Sequence, residues 1–356
     1  YLHSDQEEAL YKIIDGSPLK GDQPLTPTLK APDGRPIYNQ TGRNTYKGGL
    51  YNESGGEREV VSVAFSRYFN DGDGSFTIGY TNQNIDELSG MASTTANSSY
   101  GKYAASDYNN RTAQRSIYET EHRLFATMSS THYFLGADKP TTFNLYFERK
   151  SGLPGTYSWD TYTSRNYGGT AYQREAFGYE KNLNDDSSHL IYVPTGLTDP
   201  NVCWGSCAGA PDLAIANQVL DMLYNQLGLA SYAGQIVPNG VYEYPWQTSL
   251  DLKITQILPG FRAEDEFVIS LGIENLLNLI DSDNGEIKYG PYNGKMAVLD
   301  MYMNDDFSKY IYPNYKGRGY PDWAYGFNQS NPKGIRKSAV NSIWRAQLGF
   351  TYKFSF

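Results

Sequence analysis

Two cysteines, Cys203 and Cys207, bracket Trp-Gly-Ser, and two runs of oxygen donors lie to either side of them. The first run is Asn182, Asn184, Asp185 and Asp186; the second is Asp281 and Asp283, followed by Gly285 and Glu286. So short a spacer lets two sulfurs meet where the backbone turns, and a local disulfide is the expected chemistry in an oxidising compartment. A metal site on the same thiols would need two more ligands, and the nearest histidine, His189, stands fourteen residues before Cys203. Closely spaced carboxylates and amides beside a turn glycine are the hard oxygen ligands that calcium takes. The second run matches only the opening of an EF-hand-like loop, since Tyr292 occupies its twelfth position. Solvated turn acids account for both runs as well. Calcium is the one cofactor these residues suggest.

The other candidates are aromatic. Tyrosines crowd two stretches, with Tyr157, Tyr162, Tyr167, Tyr172 and Tyr179 in the first and Tyr310, Tyr312, Tyr315, Tyr320 and Tyr325 with Trp323 in the second. Rings with a polar tip stack on sugars and clasp peptides; they also suit a membrane-interface girdle and loop-on-loop packing. Tyr157, Tyr162, Tyr167, Tyr315 and Trp323 are the residues expected to touch a substrate. A hydrolase would need a serine or aspartate beside a histidine. The histidines are His3, His122, His132 and His189, and no such motif surrounds any of them. No enzymatic activity is expected.

Composition narrows the class. The net charge is −9 with no basic block, which argues against nucleic acid as a partner. Hydrophobic residues make up 39%, below the usual roughly 45–50%, and no run approaches the roughly 18 apolar residues of a spanning helix. Yet the chain holds 32 tyrosines and 35 glycines. Low hydrophobicity with many aromatics fits a membrane barrel, where only alternate residues of each strand meet lipid. A Tyr- and Gly-rich secreted β protein would share that composition.

Strands must position these residues, and the last one is the clearest. From Trp344 on, Trp344, Ala346, Leu348, Phe350, Tyr352, Phe354 and Phe356 fall on one face, opposite Arg345, Gln347, Gly349, Thr351, Lys353 and Ser355. Successive strand side chains point to opposite faces, so one face is wholly apolar and the other polar. A tilted bilayer-crossing strand needs about 9–11 residues, more than the usual 5–6. Similar alternation predicts strands over 59–69, 75–82, 120–130, about 143–148, 249–255 and 267–274, and the poorly alternating residues 1–14 are read as one more. Short connections near 70–74, 131–140 and 258–265 alternate with long ones at 15–58, 83–119, 150–247 and 277–341. That asymmetry is the one outer-membrane barrels show between periplasmic turns and extracellular loops. The third long loop holds a helix starting near Pro211, with Leu213, Ala216, Leu220, Leu223 and Leu227 on one face and Gly228 to end it.

An aromatic residue closing such a strand resembles the assembly signal of bacterial outer-membrane β-barrels, here Tyr352, Phe354 and Phe356. Gly272-Ile-Glu-Asn-Leu-Leu-Asn278 with the terminal strand, Phe147-Glu-Arg-Lys-Ser-Gly-Leu-Pro154, Asn182-Leu-Asn-Asp-Asp with Leu190-Ile-Tyr-Val-Pro194, and Asp33-Gly-Arg-Pro-Ile-Tyr38 resemble TonB-dependent outer-membrane receptors of the Oar-like subgroup. The resemblance implies an all-β, transmembrane antiparallel barrel of 22 strands. Residues 1–356 would supply about the last eight strands, with long extracellular loops; plug and signal peptide would lie outside the chain. It further implies import of a bulky nutrient (siderophore, glycan or peptide) across the outer membrane of a Gram-negative cell, with the C-terminus periplasmic. The partners implied are membrane lipid and lipopolysaccharide, the barrel-assembly machinery, the TonB complex through the plug, and an extracellular substrate. The competing class is a non-transporting surface-binding or adhesion barrel.

Overall fold

The computed structural model describes residues 1–14, 27, 29–38, 47–89, 99, 103–160, 189–262, 264–291, 294–304, 306–312 and 334–354. Eight long strands form one antiparallel meander in which each pairs with the next: β1 (Leu2–Ile14), β2 (Lys47–Phe69), β3 (Gly74–Glu87), β4 (His122–His132), β5 (Thr141–Lys150), β6 (Gln247–Pro259), β7 (Glu266–Glu274) and β8 (Arg345–Lys353). A two-residue strand, Gln114–Arg115, attaches to the far end of β3. Among the described residues, β1 pairs only with β2 and β8 only with β7, so each presents an open edge.

Cross-strand register puts the apolar set on one face. Phe65 lies opposite Ile78, Ile78 opposite Ala126, Ala126 opposite Phe147 and Phe147 opposite Leu250. A neighbouring row runs from Ile254 through Leu271 to Leu348. This face stays open: Val63 is 65% exposed, Leu348 59% and Phe350 62%. The opposite face carries cross-strand ion pairs, Arg123–Glu148 at 2.7 Å, Arg345–Glu274 at 3.2 Å and Lys353–Glu266 at 3.1 Å. All the strands expected from the sequence are present, and β2, β3, β5 and β6 run further toward the long connections. The largest difference is β2, which begins at Lys47 inside the stretch expected to be loop. Both of its faces are polar there, so no alternation marks it; a bulge at Gly55, φ +136°, lets it stay in register with β1. Of the tight connections, Asn70-Asp71-Gly72 turns with all three residues at positive φ, which asparagine and aspartate tolerate better than other side-chain-bearing residues.

The long connections fold together into a cap with the molecule's hydrophobic core. Pro154–Asp160 pairs with Lys295–Asp300 in parallel and with Tyr242–Glu243 antiparallel. Val202–Trp204 runs parallel to Tyr310–Tyr312. Between them sit Trp159, Trp204, Tyr157, Tyr310 and Tyr312, each at most 2% exposed. The helix α1 (Leu213–Asp221) closes one side, capped by Asp212, whose carboxylate accepts from the backbone N–H of Ala214 and Ile215. Its buried positions are Ala216 and Val219, then Met222 and Leu223 in the π turn that continues it. Of the face expected from the sequence, Ala216 and Leu223 are buried and Leu220 and Leu227 pack against the core, while Leu213 is exposed, because it opens the helix before the chain reaches the core. Among the described residues, no helix is long and apolar enough to cross a membrane.

Candidate functional site

Asp33-Gly-Arg-Pro-Ile-Tyr38 enters the cap as a buried staple. Arg35 donates from Nε and Nη2 to Asp33 and from Nη1 to the Leu190 carbonyl at 2.8 Å, and its guanidinium lies 4.6 Å from the Trp159 ring centre. A buried arginine needs such full satisfaction, since an unpaired charge there costs several kcal/mol (roughly 3–5). Tyr38 donates to Asp107 at 2.7 Å; burial, with Asp107 beside it, drives its ionisation far above the ordinary tyrosine range. Cys203 and Cys207 form a disulfide with Cα atoms 5.1 Å apart, and Gly205 between them donates to the Tyr312 carbonyl at 2.8 Å.

A second knot ties cap to sheet. Arg115 reaches Glu119 at 2.6 Å and both Glu121 and Glu243 at 2.7 Å, while Glu119 also accepts from the Ile85 N–H of β3. Burial pushes the Glu243 carboxyl upward, but the hydrogen bonds with Arg115 and Glu121 and the nearby Arg115 charge together outweigh it and hold the group below its ordinary range.

Beside this knot a cleft of about 290 Å³ opens where cap meets strand ends. Ile117 and Tyr118 come from the connection before β4, Leu153 and Pro154 from the one after β5, Tyr244 and Gln247 from the entry to β6, and Lys288, Tyr289, Gly290 and Pro291 from the last connection. Tyr244 forms the floor. A side chain at Gly290 would meet its ring at 1.7 Å, and one at Gly152 would meet its backbone oxygen at 2.1 Å, so both positions need glycine. Its hydroxyl is hydrogen-bonded to that of Tyr242 at 3.1 Å, and burial pushes its ionisation up to about 12. Tyr118, Tyr289 and Leu153 form the exposed rim. Lys288 is held by Glu286 at 2.9 Å and its carbonyl by Gln247 at 3.0 Å. The cleft offers ring faces, two prolines and few charges, a surface for planar or ring-bearing ligands rather than for bond-breaking chemistry.

A second hollow, about 470 Å³, lies on the polar sheet face over Asn144, Tyr146, Asp251, Lys253, Gly272 and Glu274. Gly272 leaves open space there: a methyl group in its place would find nothing within 4 Å. No family model, curated protein or solved structure matches the chain.

The residues singled out from the sequence are distributed unevenly. Tyr157 is not a rim residue: it lies in the cap core, 1% exposed and stacked 4.4 Å from Tyr242, and Tyr310 and Tyr312 are equally buried. A strand in the middle of a folded loop buries its alternate rings, which a loop reading cannot foresee. Tyr162, Tyr167, Tyr315, Trp323, Asn182, Asn184, Asp185, Asp186 and Phe356 lie outside the described residues. Asp281 and Asp283 shape their own turn: Asp281 accepts from the Asp283 N–H at 3.0 Å and from Asn284 at 2.9 Å, and Glu286 is engaged by two lysines. These acids therefore do not converge on a common point. Among the described residues, His3, Glu57 and Glu59 do bring ligand atoms within 4.8 Å of one another, on an exposed part of β1 and β2. Tyr352 donates to Asp265 at 2.5 Å and accepts from the Phe261 N–H at 3.0 Å, tying β8 to the turn before β7, and Phe354 is exposed beside it. Tyr118, Tyr244, Tyr289 and Trp246 carry no sequence signal, being single aromatics in polar connections.

Proposed function

We propose that this chain is the C-terminal part of an outer-membrane β-barrel of the TonB-dependent receptor kind, which captures a bulky nutrient with its cap and imports it. One observation carries the reading. Every long connection of the meander lies on one side and every short one on the other, while β2 to β8 between them expose an apolar face. Water would penalise that face by about 25 cal/mol per Å², whereas lipid accepts it. The ends of the face are aromatic: Trp344 and Trp246 toward the cap, Tyr133, Phe134, Phe261 and Phe354 toward the turns. From Trp344 to Phe354 the strand runs roughly 33 Å at about 3.3 Å per residue. At a tilt of about 40° that is about 25 Å upright, the height of an outer-membrane apolar band. The open edges of β1 and β8 fit a wider barrel that further strands complete, since a bilayer does not satisfy free strand edges. The cleft above and the wet polar face below suit a route for a solute.

The test is sidedness. Single cysteines at Asn110, Gln226 or Asp306 should react with a membrane-impermeant maleimide on intact cells, and those at Asp138 or Arg262 should not. Equal labelling everywhere would sink the reading. Import would show as internal accumulation of a cap-bound siderophore, glycan or peptide that stops when the proton-motive force is collapsed. Binding without accumulation would leave a surface-binding barrel.

A further inference from the structure

Where β3, β4, β5 and β6 leave the apolar band on the cap side, planar groups from all four form one row. The Tyr80 and His122 rings stack at 6.1 Å, and His122 and Trp246 at 5.9 Å with 16° between planes. The Arg149 guanidinium lies 5.5 Å from the Trp246 ring centre. Register sets the face: Leu124 is opposite both Tyr80 and Arg149, and Thr248, two residues beyond Trp246, is opposite Arg149. All four groups therefore lie on the face that exposes Leu124 and Met128, and all are partly open.

Arg149 differs from the arginines around it. Arg123 is paired with Glu148 and Arg115 with three carboxylates, but no carboxylate among the described residues stands within ion-pair distance of Arg149. Glu121, 3.3 Å from His122, is already bonded to Arg115 at 2.7 Å. A guanidinium on an apolar surface, held flat against an indole, keeps its N–H edge for an external acceptor, and its fork matches a phosphate in bidentate fashion. A free anion in so open a place would gain little over its hydration. A lipid gains twice, because its acyl chains lie along Leu124, Met128 and Phe147 while its phosphate reaches Arg149.

We propose that Arg149 and Trp246, flanked by His122 and Tyr80, form a headgroup site for an anionic lipid of the surrounding membrane. This rests on the membrane reading, and its test separates the two. The protein is reconstituted in phosphatidylcholine vesicles with and without phosphatidylglycerol, and bound lipid is counted by native mass spectrometry. Insertion is followed separately through heat-modifiable gel mobility. Wild-type protein should retain phosphatidylglycerol, and Arg149→Gln should retain about fivefold less, the change expected for one basic contact at an anionic surface. Trp246→Leu should retain less as well, and Lys353→Gln, on the polar face, should match wild type. Undiminished retention by an inserted Arg149→Gln protein would overturn the headgroup site and leave the membrane reading standing. Failure of the wild type to insert would overturn both. Arg149-dependent binding of inorganic phosphate, in the absence of lipid, would replace the lipid with a free anion.

Discussion

The sheet and the cap use the same aromatic residues to opposite ends. In the sheet Val63, Leu348 and Phe350 stand open, and the structure is held by its ladder of backbone hydrogen bonds. In the cap Trp159, Trp204 and Tyr312 are sealed, and strands of two to seven residues could not persist without that core. The sheet is thus specified by its surroundings and the cap by its own interior. Changes that matter to one should leave the other nearly untouched.

The largest effect belongs in the cap core. Trp159→Ala should cost about 3–5 kcal/mol and open the cap to limited proteolysis, while the sheet keeps its heat-modifiable mobility. Simultaneous loss of both would mean that they melt as one unit. Leu348→Arg reverses the experiment. In the proposed barrel it would set a charge near the bilayer midplane at a cost of about 2–4 kcal/mol, lowering the melting temperature of the inserted protein without exposing cap cleavage sites. A harmless Leu348→Arg would show that this face never meets lipid.

The boundary comes next. Arg115→Met removes the partner of Glu119, which is 1% exposed. With Arg115 itself partly solvated, the loss should be about 1–3 kcal/mol. Hydrogen exchange should rise at Ile85 and around Glu243, on the two sides of the joint; a rise on one side only would deny the coupling. The smallest effect is a pH response in the last connection. Hydrogen bonds from Lys337 and Lys288 hold Glu286 below its ordinary value of 4.5. A lowered folded-state value means that the stabilisation is complete above the ordinary value and lost as pH falls through the lower one. Backbone protection where Lys288–Tyr289 pairs with Arg336–Lys337 should therefore drop below that point in wild type and already be low in Glu286→Gln. A pH-independent wild type would remove the role of Glu286.

The difference between the regions also explains what can be read from the sequence. An apolar set on one face and a polar set on the other give Leu348, Phe350 and Tyr352 a period of two, so strands and their order are legible. Where β2 leaves that constraint, between Lys47 and Arg58, the alternation fades and nothing in the pattern marks a strand. The cap has no such period. Tyr157 and Tyr310 look like loop tyrosines because the partners that bury them lie far off in the chain. The cleft is illegible for the same reason, since several connections meet to build it. The helix announces itself through its own repeat, and its expected face packs on the core apart from Leu213 at its start.

The cap's parallel strands carry a consequence for the order of folding. Arg35 bonds the Leu190 carbonyl across 155 positions, and Val202–Trp204 lies beside Tyr310–Tyr312 from the last long connection. Closing such loops from an open chain is entropically unfavourable and slow. Once the meander has formed, the roots of every connection are pinned at neighbouring strand ends, and most of that search is already done. The sheet thus serves as a jig for the cap, which cannot finish until the segment before β8 has arrived. A chain stalled short of Tyr310 would carry β1 to β7 but leave the rings of Trp159 and Trp204 without their last partners, an intermediate that proteases should recognise by its unsealed core.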